Sequence, residues 1–105
     1  MSALPLPSTA ATPARPRVLI VDDAAVVRGL FGRWIEADGR FEMLPSCGDG
    51  RAAIDAARRH RPQVIVLDIE MPVMDGLSAL PEILAASPTS AVLIASTLTR
   101  RNAQI

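Results

Sequence analysis

Apolar runs of strand length alternate along this chain with longer segments in which apolar residues recur at helical spacing. The four runs are Val18–Val21, Phe41–Ser46, Gln63–Leu67 and Ser90–Ala95. The three helical segments are Ala24–Ala37, Arg51–Arg61 and Leu77–Ala86. Continuous apolar runs are typical of strands buried on both faces, and strands that alternate with helices form parallel sheets. The pattern therefore predicts a doubly wound α/β fold, with the second run at an edge because it contains Pro45.

The helical segments also predict which side chains face the sheet. The predicted inward-facing residues are Val27, Leu30, Phe31, Trp34 and Ile35 in the first helix, Ala53, Ile54 and Ala57 in the second, and Leu77, Leu80, Ile83 and Leu84 in the third. Gly39 and Pro62 are placed to end the first two helices. Pro81 falls within the third, where it removes one backbone hydrogen bond unless it lies in the first turn.

Composition limits the classes of function. The chain has 105 residues, enough for one small domain, and its basic and acidic residues are equal in number. This balance gives no indication of a nucleic-acid or membrane surface, and no run approaches the ~20 apolar residues of a membrane span. The single cysteine, Cys47, excludes an internal disulfide, suits a cytoplasmic protein and is expected to be a small buried apolar residue.

The first part of the chain differs in composition from the rest. Residues 1–16 contain several prolines among alanine, serine and threonine and have no hydrophobic period. Such a segment cannot bury enough apolar surface to order itself. We expect a disordered tail over residues 1–16 and a folded unit over residues 17–105.

Acidic residues follow two of the predicted strands. Asp22 and Asp23 come directly after the first, and Asp68 comes directly after the third. The carboxyl ends of parallel strands meet at one crevice, so these three carboxylates are expected to lie together. Each pair repels by about 1 kcal/mol in water and about 4 kcal/mol near a protein surface, which a divalent cation or a shared proton offsets. The placement indicates a Mg²⁺-assisted phosphoryl site.

Each acid also has a purely structural interpretation. An aspartate before a helix accepts backbone N–H bonds and complements the positive end of the helix dipole, which would explain Asp22 and Asp23. A cap or turn role would also suit Asp68. The functional interpretation depends on the joint placement of all three. In it, Asp68 is the better phosphoryl acceptor because it stands alone in its loop, while the adjacent pair holds a cation, one acid directly and one through water.

Three segments together resemble the receiver domain of bacterial two-component response regulators. They are Val18–Asp23, Val66–Gly76 and Leu93–Thr97. The stretch from Asp68 to Gly76 and the residues Ser96–Thr99 most resemble the receiver of chemotaxis protein-glutamate methylesterases. The resemblance covers residues 17–105 and implies a flavodoxin-like parallel sheet with the strand order 2-1-3-4.

The resemblance also implies a site and a partner. Asp68 would accept a phosphoryl group from a chemotaxis-type histidine kinase. Asp23, Asp68 and the backbone carbonyl of Glu70 would ligate Mg²⁺ directly, and Asp22 would act mainly through water. These acidic positions would then form the metal site of a cytoplasmic phosphorelay protein.

Hydroxyl and loop residues complete the implied site. Ser96 would be the switch hydroxyl that hydrogen-bonds the phosphoryl oxygen, and Thr97 competes for that role. Capping of a following helix explains Ser96 equally well from local sequence alone. Pro72 and Gly76 would shape the loop after Asp68, and both also suit an ordinary turn.

Two parts of the family pattern are absent from this sequence. The family has a fifth strand, which ends in a lysine that pairs with the phosphoryl group, and a last helix. This chain contains no lysine, and an arginine is not equivalent because its charge is a planar fork. We therefore expect a partial receiver domain, either a truncated gene product or a fragment of a longer methylesterase, with an apolar strand Ser90–Ala95 left at an exposed edge. The methylesterase's catalytic serine and histidine have no counterpart, so no stand-alone enzyme is expected in this chain.

Two other functions stay open on the sequence alone. A pseudo-receiver would bind partners without being phosphorylated, which the missing lysine favours. A Mg²⁺-dependent phosphohydrolase with an aspartyl intermediate is the second alternative. Such enzymes typically carry Asp-x-Asp after the first strand, whereas here the candidate acceptor Asp68 follows the third strand and is followed by Glu70 two residues later.

Overall fold

The computed structural model describes residues 14–71 and 74–95. The strands are β1 (Arg17–Val21), β2 (Glu42–Met43), β3 (Val64–Asp68) and β4 (Ala91–Ala95), and the helices are α1 (Ala25–Asp38), α2 (Gly50–His60) and α3 (Gly76–Ala86). The predicted alternation of strands and helices is confirmed. Most of the tail predicted over residues 1–16 lies outside the described residues, so its disorder stays a prediction.

The strands form one parallel sheet in the order β2-β1-β3-β4, which confirms the predicted order 2-1-3-4. β1 pairs with β3 through Val21↔Leu67, and β3 pairs with β4 through Asp68↔Ala95. The carboxyl ends of these three strands therefore lie side by side. In a parallel sheet this is the edge at which loops form a ligand crevice.

The second strand is shorter than the predicted range Phe41–Ser46. Regular pairing is limited to Glu42–Met43, followed by a single bridge between Val21 and Cys47. Pro45, which has no N–H to donate, lies between the two. The backbone nevertheless continues along β1, because the N–H of Cys47 donates to the carbonyl of Ile20 over 2.9 Å. This brings Cys47 to the same end of the sheet as the acidic residues.

A tightly packed core lies between one face of the sheet and the helices α2 and α3. Its most buried members, at most 1% exposed, are Leu19, Val21, Ala53, Ile54, Ala57, Ile65, Leu67, Ala79 and Ile83.

The predicted inward face of α2, formed by Ala53, Ile54 and Ala57, is confirmed. The predicted face of α3 is partly wrong, because Leu77 is 62% exposed and Leu84 39%. Gly76 and Ala79 are buried instead, and their small size lets α3 lie close to β3 and to the start of α2.

The stripe predicted to face the core on α1 is also partly wrong. Among the five predicted residues, Leu30, Phe31 and Trp34 are 37%, 41% and 58% exposed, and only Val27 and Ile35 are half-buried. The helix packs on β1 and β2 and covers that part of the sheet. Among the described elements, β1 and β2 are the ones that pack extensively on α1, and the aromatic residues of the helix stay largely exposed.

The sheet ends at β4, whose outer side has no strand partner within the described ranges. Leu93 and Ile94 on this strand are 57% and 50% exposed. An apolar groove of about 170 Å³ runs from α1 to this strand and is lined by Val18, Ile35, Phe41, Val64, Val66 and Leu93. The predicted exposed apolar edge is confirmed.

The helix ends follow local sequence chemistry. Gly39 closes α1 in the left-handed conformation with φ 81°, and the Asp49 carboxylate caps α2 by accepting the Ala52 N–H over 2.9 Å. The Asp75 carboxylate caps α3 in the same way, by accepting the Ser78 N–H over 2.7 Å. Pro81 lies beyond the first turn of α3, so that helix forgoes one backbone hydrogen bond on its exposed side.

Candidate metal centre

Three carboxylates converge at the carboxyl ends of β1 and β3. Asp22 and Asp23 follow β1, Asp68 is the last residue of β3, and the pairing of Val21 with Leu67 sets the two strand ends in register. One carboxylate oxygen from each of the three acids lies within 4.8 Å of the others. The convergence that parallel pairing predicts is therefore present in the structure.

Asp68 is the most buried of the three acids, with 2% of its surface exposed. Its Oδ1 accepts the backbone N–H of Glu70 over 3.0 Å. Its Oδ2 is buried without a hydrogen-bond donor among the described residues. A buried carboxylate oxygen without a donor costs free energy, and a cation or a protonated group at that oxygen would remove the cost.

The surroundings of Asp68 favour its protonated form. Burial raises the pKa of this carboxyl group above its ordinary value, and the N–H of Glu70 acts in the opposite direction. The charges of Asp22, Asp23 and Glu70 raise the pKa further. A positive charge placed among these groups would oppose both the desolvation and the repulsion. The electrostatics are those of a site that gains from binding a cation.

Asp22 and Asp23 form a turn rather than a helix cap. Ala24, the N-cap residue directly before α1, makes no side-chain cap bond, and its N–H donates to Asp22 Oδ1 over 2.8 Å. The N–H of Asp22 donates to the carbonyl of Cys47 over 3.0 Å. Asp22 is half-buried and Asp23 is exposed. The capping interpretation therefore does not account for Asp23, whose carboxylate lies in the cluster with those of Asp22 and Asp68.

Two glycines permit close backbone contacts at the start of α3. A Cβ at Gly76 would lie against the carbonyl oxygen of Asp68 and 2.7 Å from the Cα of Ile69. A Cβ at Gly50 would lie 2.5 Å from the carbonyl oxygen of Met74, the same oxygen that accepts the Gly50 N–H over 3.0 Å. Both contacts are with backbone atoms, so no side-chain rotation would relieve them. Gly76 thus permits α3 to begin directly beneath Asp68.

The structure describes only some of the remaining predicted positions. Glu70 is half-buried, and its N–H bond to Asp68 ties its backbone to the cluster. The predicted switch residues Ser96 and Thr97 lie outside the described residues, as does Pro72. The last described residue, Ala95, accepts the N–H of Ile69 over 3.1 Å, so β4 ends beside the Asp68 loop.

Sequence reasoning missed Arg28. Its guanidinium donates from Nη1 to the backbone carbonyl of Asp22 over 2.7 Å. A basic residue near the start of a helix is unfavourable for the helix dipole, and this was the one local signal in the sequence.

The sequence-based prediction that Cys47 is buried is confirmed, and burial raises the pKa of its thiol.

The donor set fits a hard divalent cation. Three carboxylates, one with an oxygen that lacks a donor, offer the oxygen ligands that Mg²⁺ prefers, with room for water in an exposed position at Asp23. Among the described residues the cluster consists of carboxylates alone, without the histidine or cysteine ligands that softer metals favour. The residues present therefore fit Mg²⁺.

Comparison with known proteins identifies the family. The model of the response regulator receiver domain matches residues 18–104. The chain belongs to the response regulator receiver family.

Within this family, the chain is similar to receivers of protein-glutamate methylesterases. It is 55% identical over 89 residues to protein-glutamate methylesterase/protein-glutamine glutaminase 1 of Rhodospirillum rubrum, which covers 85% of this chain and 23% of the relative. The enzyme of Azospirillum brasilense is 53% identical over the same share of both chains. The chain thus spans about a quarter of the length of these curated relatives.

Solved structures confirm the receiver fold. The response regulator domain of Thermotoga maritima CheB matches with a TM-score of 0.76 and 34% identity, over 82% of this chain and 63% of that one. The receiver domain of the sensor histidine kinase PA1611 of Pseudomonas aeruginosa, solved with a magnesium ion coordinated in its active-site cleft, matches with a TM-score of 0.69 and 28% identity. That match covers 77% of this chain and 66% of the other. Neither the pseudo-receiver nor the phosphohydrolase alternative is favoured by these similarities.

The described helices do not suggest a membrane span. The longest, α1, has 14 residues, and no helix of the described chain is both long and apolar enough to cross a bilayer.

Proposed function

We propose that this chain is the phosphoacceptor switch of a chemotaxis methylesterase, in which Asp68 takes a phosphoryl group from a histidine kinase in the presence of Mg²⁺. The observation that carries the proposal is the buried Asp68 Oδ2, which has no donor among the described residues and lies in a cluster with Asp22 and Asp23. The similarity to receivers of methylesterases supports the biological setting. The unit would comprise residues 17–105 and act in the cytoplasm.

The transfer is a displacement at phosphorus. A carboxylate oxygen of Asp68 forms a new O–P bond while the N–P bond of the kinase phosphohistidine breaks, and the electron pair of that bond returns to the imidazole. Mg²⁺, when bound, neutralises negative charge on the transferring phosphoryl oxygens. Asp68 attacks as the carboxylate. Burial and, to a smaller extent, the charges of the neighbouring acids raise the pKa of Asp68, so a positive charge at the cluster would favour the reactive form.

Other residues of the chain would bind the metal ion and contact the phosphoryl group. Asp23, Asp68 and the backbone carbonyl of Glu70 would hold the cation, with Asp22 acting through water. Exposure of Asp23 suits a ligand that exchanges with solvent, and the Asx-type bond of Asp22 to Ala24 leaves Asp22 less free to bind directly. Ser96 would contact the phosphoryl oxygen as the switch hydroxyl, with Thr97 as the neighbouring candidate.

The absence of lysine from this sequence bears on rate rather than on the acceptor. A lysine near the phosphoryl group would add one more cationic contact in the transition state, so its loss slows transfer without removing the nucleophile. We expect phosphorylation to occur slowly in this chain alone.

The test is transfer from a small phosphodonor such as acetyl phosphate, followed by intact mass measurement. We expect a Mg²⁺-dependent phosphoryl adduct that is lost in Asp68→Asn. The matched control is Asp55→Asn, an exposed acid on α2 whose loss should leave the adduct unchanged.

Other outcomes distinguish the alternatives. An intact chain that binds Mg²⁺ but forms no adduct with either acetyl phosphate or a phosphorylated chemotaxis kinase contradicts the proposal and supports the pseudo-receiver. Continuous release of phosphate from a phosphate ester contradicts it in favour of the phosphohydrolase. An adduct that persists in Asp68→Asn contradicts the choice of acceptor.

A further inference from the structure

The side chain of Arg28 bonds to the backbone of the turn formed by Asp22 and Asp23, here called the acidic turn. Arg28 is the fourth residue of α1, and its own N–H is a normal helical donor to the carbonyl of Ala24 over 3.0 Å. Its Nη1 reaches back to the carbonyl oxygen of Asp22 over 2.7 Å, and the bond is partly buried. A charged donor on a partly buried carbonyl is among the stronger kinds of hydrogen bond in proteins.

The same guanidinium also lies against the loop between β2 and α2. A Cβ at Gly48 would be 3.3 Å from Nη1 of Arg28 and 3.9 Å from its Cζ. This loop is joined to the acidic turn by the bond from the Asp22 N–H to the Cys47 carbonyl. Arg28 is therefore held between two segments that meet at Asp22.

The bonded carbonyl has a particular consequence for the two acids. It belongs to the peptide unit that joins Asp22 to Asp23, and a peptide unit is planar. Fixing its orientation fixes ψ of Asp22 and φ of Asp23, and so the directions in which both side chains leave the backbone. Ala24, the N-cap residue directly before α1, has no side chain that could hold this peptide unit in place.

We propose that Arg28 is a positioning residue for the metal centre, which orients the Asp22 and Asp23 carboxylates by holding the peptide unit between them. This inference rests on the proposed function, because it concerns the affinity of the same cluster for Mg²⁺. Arg28 acts through the backbone and is not itself a ligand.

The test is Mg²⁺ affinity, measured by isothermal titration calorimetry on the whole chain. Arg28→Met keeps most of the aliphatic stem and removes the donors, and we expect about a tenfold loss of affinity, as for other residues that orient metal ligands. Arg28→Lys retains a donor and should recover most of the affinity. Arg33→Met, an exposed position on the same helix, is the matched control and should bind as the wild type does.

A second measurement separates positioning from general support of the fold. Urea unfolding without Mg²⁺ should show similar stability for Arg28→Met and Arg28→Lys, although their affinities differ. Where Arg28→Met does not fold, Gly48→Ala decides, because its new Cβ crowds the guanidinium and should weaken Mg²⁺ binding in a folded chain.

The outcomes are distinguishable from failure of the proposed function. A wild-type chain that binds no Mg²⁺ overturns the proposed function and this inference with it. A wild type that binds Mg²⁺, with Arg28→Met equal to it in affinity, overturns only the role of Arg28. The role of Arg28 is also overturned if Arg28→Met and Arg28→Lys lose Mg²⁺ affinity to the same extent and lose stability to the same extent.

Discussion

Gly76, the first residue of α3, lies with its Cα directly against the backbone of Asp68, so that a Cβ there would meet the Asp68 carbonyl oxygen and come within 2.7 Å of the Cα of Ile69. The Gly76 N–H also donates to the carbonyl of Ile69 over 3.2 Å. The start of α3 and the end of β3 therefore hold each other in place. The position of the candidate acceptor depends on the absence of a side chain at residue 76.

Gly76→Ala is expected to destabilise the fold by about 1–3 kcal/mol, because the added methyl group forces backbone atoms apart. The measurement is urea unfolding followed by circular dichroism. Gly29→Ala is the control, since nothing lies within 4 Å of a Cβ at that helical position. It should stabilise the chain by about 0.5–1 kcal/mol through helix propensity alone. Equal effects at the two glycines would contradict the packing described for Gly76.

Asp68→Asn is expected to stabilise the chain at neutral pH when Mg²⁺ is absent. The substitution removes one of three mutually repelling charges and the cost of burying it, a gain on the order of 1 kcal/mol. Thermal unfolding in the presence of a chelator measures the difference. With excess Mg²⁺ the wild type should regain stability and the variant should regain less, since ligand bound to the folded state stabilises it.

The pH dependence of that difference follows from the raised pKa of Asp68. The folded chain keeps the Asp68 proton to higher pH than the unfolded chain does. The wild type therefore loses stability as pH rises from the ordinary aspartate value, about 3.9, to the raised value in the fold. The gain in folding stability from Asp68→Asn should be small at acidic pH and largest at pH values above the raised pKa of Asp68. A gain in stability that shrinks as pH rises would contradict the assignment.

The edge of the sheet at β4 predicts self-association. Leu93 and Ile94 are about half exposed on a strand whose outer side is unpaired in the described structure, and Phe31 and Trp34 are exposed on α1. Exposed apolar edges pair with other chains. Sedimentation of the chain should therefore depend on concentration, and Leu93→Lys should shift it towards the monomer. Ala85→Lys, at an exposed position on α3, adds the same single positive charge and is the charge-matched control. A chain that stays monomeric at all concentrations would contradict this prediction.

Sequence reasoning located the sheet and the acidic cluster because both follow from local patterns. Apolar runs define buried parallel strands, and residues that end such strands meet at one edge whatever lies elsewhere. Asp22, Asp23 and Asp68 could therefore be placed together without knowledge of any distance.

The helix faces were harder to predict because burial depends on the partner as well as on spacing. Phe31 and Trp34 have helical spacing, yet the described elements cover only part of α1, so the residues stay exposed. Gly76 and Ala79, rather than Leu77, face the core, because α3 approaches β3 too closely to leave room for a large side chain. Arg28 escaped notice because its role depends on a contact with a backbone carbonyl, which leaves no periodic signal.

The most direct test of the account identifies which residue carries the phosphoryl group. The chain is treated with acetyl phosphate and Mg²⁺, the acyl phosphate is reduced with borohydride, and the product is sequenced by mass spectrometry. Reduction converts an aspartyl phosphate to homoserine. We predict homoserine at position 68, only when Mg²⁺ is present. Homoserine at position 22 or 23, or a product that forms equally well with a chelator, would contradict the central claim.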